Sequence, residues 1–151
     1  MRLLFVIFIF LVGGCAPTFE YNYFFSETEG KVLVDGKPVS GITIKRWYRS
    51  NWYENDTLET TTTDDDGYFY FSDGREFSFI GVAHEPVIYQ TIKIQYGNKE
   101  YLGWEYTKST YDKNEEVGKQ INIVCELTNN ESKQTIHGKR YGNYYNGLCR
   151  I

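Results

Sequence analysis

Three acidic residues followed by a glycine, Asp64-Asp65-Asp66-Gly67, form the densest cluster of possible metal ligands in this 151-residue chain. Carboxylates grouped before a glycine suit a hard cation such as calcium. A calcium loop of the EF-hand kind, however, needs further oxygen donors at fixed spacing and a distal glutamate. Tyr68, Phe69 and Tyr70 stand where those donors would fall, so the cluster reads as a turn. His84 and His137 are the only histidines, far apart and without cysteine or carboxylate spacing around them, which argues against zinc. No Gly-Xxx-Ser-Xxx-Gly elbow, phosphate loop or dinucleotide fingerprint occurs. Glu115 and Glu116 are adjacent, and neighbours on an extended chain point apart, so this pair reads as part of a solvated loop. The expectation is a protein without enzymatic activity, cofactor or metal.

One constellation suits recognition instead. Arg46, Trp47, Arg49, Trp52 and Tyr53 crowd the end of a strand and the polar segment 49–56 that follows it. Trp, Tyr and Arg anchor protein interfaces because they combine large burial with directional polar contacts. These five are the candidate partner-binding residues. The competing reading is that Trp47 and a loop aromatic fill the end of the core, and Trp104 and Tyr106 fit either account.

The elements that hold these residues are strands. Aromatic content is 18%, with 14 Tyr and 10 Phe, and no stretch after the N-terminus sustains a helical period. The size allows one domain with a real core. Segment 60–71 runs four threonines into three aspartates and a glycine and then four aromatics, the composition of a strand, a tight turn and a second strand forming a hairpin. Further strands are predicted at 29–34 and 42–48, joined by an Asp35-Gly36-Lys37-Pro38 turn, with Ile42, Ile44 and Arg46 on one face and Thr43, Lys45 and Trp47 on the other. Segments 87–96 and 100–106 form a hairpin about Gly97-Asn98, and Ile121, Ile123, Cys125 and Leu127 line one face of a last strand. Segment 75–86 reads as a long connection whose Phe77, Phe79 and Ile80 dip into the core, and 107–119 as polar loop. The five aromatics of 16–28 make it too apolar for a free linker, and its conformation stays open.

Met1-Arg2 followed by the apolar run 3–12 is an export signal, too short to span a bilayer. It ends in Leu11-Val12-Gly13-Gly14-Cys15, which resembles the lipobox of bacterial lipoproteins, whose cysteine is lipidated and becomes the new N-terminus. The alternative is an ordinary secretory signal cut near Ala16. The lipoprotein resemblance implies a membrane anchor at Cys15. Because Ala16 is not the aspartate associated with inner-membrane retention, it also implies the outer membrane, facing the periplasm. With Cys15 used, Cys125 and Cys149 are left in an oxidising compartment and are expected to pair, fastening the polar tail 128–151. Without the leader, 15 basic groups face 20 acidic ones, an acidic balance that argues against a nucleic-acid partner.

The run Gly30-Lys-Val-Leu-Val-Asp-Gly36-Lys-Pro-Val-Ser-Gly41-Ile-Thr-Ile, then a Thr-rich strand, an Asp turn, Gly67 and an aromatic strand, resembles the transthyretin-like and carboxypeptidase-regulatory-like sandwiches. Cys125-Glu126-Leu127-Thr128 and the ending Cys149-Arg150-Ile151 are similar to a bacterial family of such domains of unassigned function. The resemblance implies an all-β protein, a single antiparallel β-sandwich of transthyretin-like type with a disulfide-tethered C-terminal tail. The expected organisation is a signal peptide over 1–14, a lipidated segment over 15–28, the sandwich over 29–127 and the tail over 128–151. The expected function is a non-enzymatic protein-binding module, with an immunity partner of a secreted toxin as one form and a carbohydrate- or cell-wall-binding module as the alternative.

The leader makes the first prediction. Cys15→Ser is expected to leave the chain unprocessed or to release it from membranes on fractionation; a wild-type chain recovered soluble with its leader attached would contradict the anchor.

Overall fold

The computed structural model describes residues 19–52, 56–79, 85–113, 115, 120–136 and 144–151, and among them it is all-β. The strands in chain order are β1 (Phe19–Phe25), β2 (Thr28–Val34), β3 (Lys37–Pro38), β4 (Thr43–Ser50), β5 (Thr57–Thr62), β6 (Tyr68–Phe71), β7 (Gly74–Phe79), β8 (Ile88–Tyr96), β9 (Lys99–Lys108), β10 (Ile121–Glu126), β11 (Ser132–Thr135) and β12 (Tyr144–Gly147). A six-stranded sheet has the order β11-β12-β9-β8-β4-β5. A smaller sheet is built on β2, which pairs with β10, β3 and β6, while β1 and β7 form a separate ribbon. The sheets do not close into a barrel. Every ladder is antiparallel except β10 on β2, which is parallel.

Alternation decides what goes between the two larger sheets. Ile42 leads into Ile44 on β4, Ile92 and Ile94 follow on β8, and Trp104 and Tyr106 on β9. Across from them lie Val32 of β2, Phe69 and Phe71 of β6, and Ile121, Ile123 and Cys125 of β10, with Leu127 just beyond. The period of two puts each of these sets on one side of its strand, and the two sides share one core.

The predicted 60–71 hairpin is not one. Its turn is present: the Asp64 carboxylate accepts from the Asp66 and Tyr68 N–H groups, and Gly67 adopts φ 76° with its N–H on the Asp64 carbonyl. Yet β5 pairs with β4 and β6 pairs with β2, so the turn carries the chain from one sheet to the other. Thr63 makes the departure, donating its hydroxyl to the Val39 carbonyl and accepting from the Ile42 N–H. The physical reason is burial. β6 alternates Tyr68 and Tyr70 outward with Phe69 and Phe71 inward, and those rings are worth more closing the core from the far side than lying beside the polar β5. The 88–108 hairpin about Gly97 is as expected, as is the Asp35-Gly36 turn, whose two N–H groups are held by the Glu126 carboxylate.

Two other expectations are corrected, and the conformation left open for part of 16–28 is now given. Residues 74–79 are strand β7 rather than a connection, and Phe77 is 62% exposed rather than in the core; Ile80 and the Phe79 side chain lie outside the described residues. Residues 19–25 form β1, which joins the fold through buried Phe24 and Phe25. Glu115 is not solvated: it is fully buried, 2.9 Å from Lys108 Nζ, and accepts from the Ser26 hydroxyl, the Ser26 N–H and Gln90 Nε2. Glu116 lies outside the described residues.

The tail is built into the sheet. β9 carries a bulge at Gly103, whose freed carbonyl accepts the Cys149 N–H, and Gly147 at φ 141° lies so close that any Cβ there would strike Gly103. Tyr145 stacks on Trp104 with centroids 4.2 Å apart, and Cys149 is bonded to Cys125 of β10. On the chain-entropy account, closing a loop of this length stabilises the fold by about 3 kcal/mol.

Burial pushes the Glu115 carboxyl up, but Lys108 and the hydrogen bonds from Ser26 and Gln90 outweigh it and hold the group below its ordinary value. Glu115→Ala strands the Lys108 ammonium without a counter-charge and is expected to cost about 3 to 5 kcal/mol in urea unfolding. Replacing the pair together, Glu115→Leu with Lys108→Met, should cost much less. Equal losses from the single and double variants would show that the charge pair is not what ties this loop down.

Candidate functional site

The candidate site is the outer face of the six-stranded sheet, where β5, β4, β8 and β9 lie side by side. Residues that alternate away from the core meet across the ladders: Lys45 opposes Lys93, Trp47 sits between Leu58 and Thr91, and Arg49 opposes Tyr89. An open trough of about 450 Å³ runs over them, lined by Lys45, Trp47, Leu58, Thr91, Lys93 and Glu100. Its walls differ in character. On one side Leu58 is 61% exposed beside the half-buried Trp47 ring, and the Arg49 guanidinium lies 5.9 Å from the Trp47 ring centroid and 5.6 Å from that of Tyr89. On the other, Glu100 bridges Lys45 and Lys93, each at 2.8 Å.

The strand ends fix the aromatic wall. Trp47 donates its indole N–H to Asp56 Oδ2 at 3.2 Å, and Asp56 also lies 4.0 Å from Arg49. Past β4 the chain turns through Asn51, whose side-chain oxygen accepts the Val87 N–H, and Trp52 donates its indole N–H to the Glu85 carbonyl. Trp52 thus keeps one edge tied down while half of it faces solvent.

Of the residues singled out in the sequence, Trp47 and Arg49 are on this face, Arg49 as part of β4 rather than of the segment after it, and Trp52 follows in the turn at the end of β4. Arg46 is a correction. It points the other way and is fully buried, with its guanidinium 4.7 Å from the Phe71 ring, 5.1 Å from Phe25 and bonded to Glu59, so it offers nothing to a partner. The alternation that places Ile42, Ile44 and Arg46 together already implied this, and the interface preference of arginine obscured it. Trp104 and Tyr106 are core. Tyr53, Cys15, His84 and His137 lie outside the described residues. Among the described residues, no group of three or more His, Cys, Asp or Glu is arranged to hold a metal ion, and Asp64 is occupied with its own turn.

Leu58, Tyr89, Lys93 and Glu100 escaped the sequence reading. Leu58 carried a signal, as the one apolar residue in a run of threonines and acids. Tyr89 carried none, because Arg49 meets it from another strand, and the Lys45 that shares Glu100 lies 55 residues from it, although Lys93 and Glu100 stand only 7 residues apart on the predicted hairpin.

Bonds from Lys45 and Lys93 hold the Glu100 carboxyl down at about 2, against an ordinary value of 4.5. A depressed carboxylate contributes its stabilisation fully above the unfolded value, so this contribution is present above about pH 4.5 and is lost as pH falls toward 2. The group is largely exposed, and the gain is correspondingly small. Carboxyl NMR titration should find Glu100 with a midpoint near 2, moving back toward 4.5 in Lys45→Met with Lys93→Met; an ordinary midpoint in the wild type would show that the bridge is open in solution.

A comparison with curated proteins finds no match. Residues 28–130, more than half of the chain, match the model of one domain family, a span that takes in every strand from β2 to β10. The chain therefore belongs to the family described as Domain of unknown function (DUF6795).

Proposed function

We propose that this protein is a non-enzymatic module of a bacterial cell envelope, lipid-anchored through Cys15 at the periplasmic side of the outer membrane, that binds a protein partner through the outer face of its six-stranded sheet. The finer architecture proposed is the transthyretin-like sandwich, supported by the order of turns and strands from Gly30 to Phe71. A secreted toxin neutralised by this chain is the narrowest form of the reading.

The observation that supports it is the continuity of Leu58, Trp47, Arg49 and Tyr89 on one solvent-facing surface, with the exposed Trp52 in the turn that follows β4. Leaving large apolar side chains in water forgoes roughly 1.5 to 3 kcal/mol apiece relative to covering them. Apolar anchors beside arginine, with a ring of charged side chains around them, are the usual composition of a protein interface. The lipid anchor is supported by the apolar run ending at Gly13-Gly14-Cys15.

Leu58→Asp with Trp52→Ala tests the surface without touching the core, because both side chains are more than half exposed. Their melting temperature is expected to match the wild type, while saturable binding of an envelope or secreted protein falls at least tenfold. Binding that survives protease treatment of the ligand and is competed by sugar would replace the protein partner with a glycan. Undiminished binding by the double variant would reject the site.

A further inference from the structure

The β1–β7 ribbon presents a second aromatic surface that the sheet site does not use. Its register pairs Tyr21 with Phe77 and Tyr23 with Arg75, so these four side chains share one face, while Asn22 and Phe24 alternate to the other and are buried. On the outward face Tyr21 and Phe77 meet edge to face with centroids 5.4 Å apart. Phe77 at 62% and Tyr21 at 44% are both well exposed, and Phe77 is the most exposed large apolar residue among the described ones. Two cations lie over the same rings: Arg75 is 4.3 Å from the Tyr21 centroid, and Lys113 is 5.0 Å from that of Tyr23 and 2.7 Å from Asp73.

Chain length says what this face meets. β1 begins at Phe19, four residues after Cys15. Even a fully extended connection of that length spans only about 14 Å. If Cys15 carries acyl chains, the start of the ribbon is held at the headgroups whatever else the protein does. Tyrosine favours that depth because its ring is apolar and its hydroxyl is wet, and Arg and Lys beside such rings reach lipid phosphates.

We propose that the outward face of the β1–β7 ribbon, with Tyr21, Tyr23, Phe77, Arg75 and Lys113, docks into the headgroup layer of the bilayer that holds the Cys15 anchor. This rests on the reading of Cys15 as lipidated. Two attachments, the acyl chains and the ribbon, then fix which side of the sandwich faces the membrane, where the acyl chains alone would leave it free to tumble.

The test uses the lipidated chain as the cell makes it, reconstituted in phosphatidylethanolamine and phosphatidylglycerol vesicles after mass spectrometry has confirmed the acyl groups. Phe77→Trp places a reporter at an exposed position, and emission in excess of the parent chain's three tryptophans is followed with lipids brominated near the headgroup and with aqueous iodide. Docking predicts at least twofold stronger quenching by bromolipid than the parent chain shows, with little effect of iodide. Quenching by iodide but not by bromolipid on an acylated chain overturns the docking and leaves the anchor standing. Protection from both quenchers, with a doubled mass in detergent, overturns it in favour of a second copy. A chain without acyl groups overturns anchor and docking together.

Discussion

Arg46 is a cation placed inside the sandwich, and several segments are arranged around that fact. Its guanidinium is walled by rings from three places in the chain, Phe25 of β1, Tyr48 of β4 and Phe71 of β6, and its charge is met by Glu59 of β5. A guanidinium is delocalised and weakly hydrated, so aromatic walls cost it less than they would cost an ammonium, but it still requires a carboxylate. That requirement sets the position of the edge strand. With Glu59 opposite Arg46, Leu58 must fall opposite Trp47, and the apolar wall of the outer trough is assembled. The surface proposed for recognition is therefore the reverse side of a half-buried ion pair, and disturbing Glu59 would move it.

A second buried charge works in the same way. Glu115 arrives from a loop and meets Lys108, Ser26 and Gln90, which come from β9, the segment after β1 and β8. A carboxylate sealed there has few positions that satisfy it, which pins both the loop and the end of β1. The ribbon that continues from β1 thus stands on a fixed base, and its outward rings are held in place although little covers them.

The C-terminal tail shows how a polar, glycine-rich segment can still be structural. Among its described residues it buries little apolar area beyond Ile136, Tyr145 and Leu148, and it is secured by close backbone approach at Gly103 and Gly147, by the Tyr145–Trp104 stack and by the bond to Cys125. The disulfide ties β10, in one sheet, to the tail that extends the other. Glycine permits the approach and the covalent bond makes it permanent.

Residue order alone was enough to establish the strand-rich class, the turn chemistry at Asp35-Gly36, Asp64 to Gly67 and Gly97, the inward faces of β4, β8 and β10, and the pairing of Cys125 with Cys149. All of these depend on local alternation, on backbone angles that glycine or a short acid permits, or on which cysteines are left to combine. The partner of each strand lay beyond its reach. An alternating strand announces that one face is apolar without saying which sheet will cover it, so residue order predicts β6 as the mate of β5, whereas its phenylalanines close the core from β2. The same gap hid the burial of Glu115 and Arg46, since a charge is affordable inside only where a counter-charge arrives from elsewhere in the chain, 13 residues away for Glu59 and Arg46. It also sent Phe77 wrongly into the core, because a phenylalanine turns outward only when the strand it lies on has its other face already committed. Side-chain period is local, whereas the choice of neighbour is made by long-range packing, and only the folded chain records that choice.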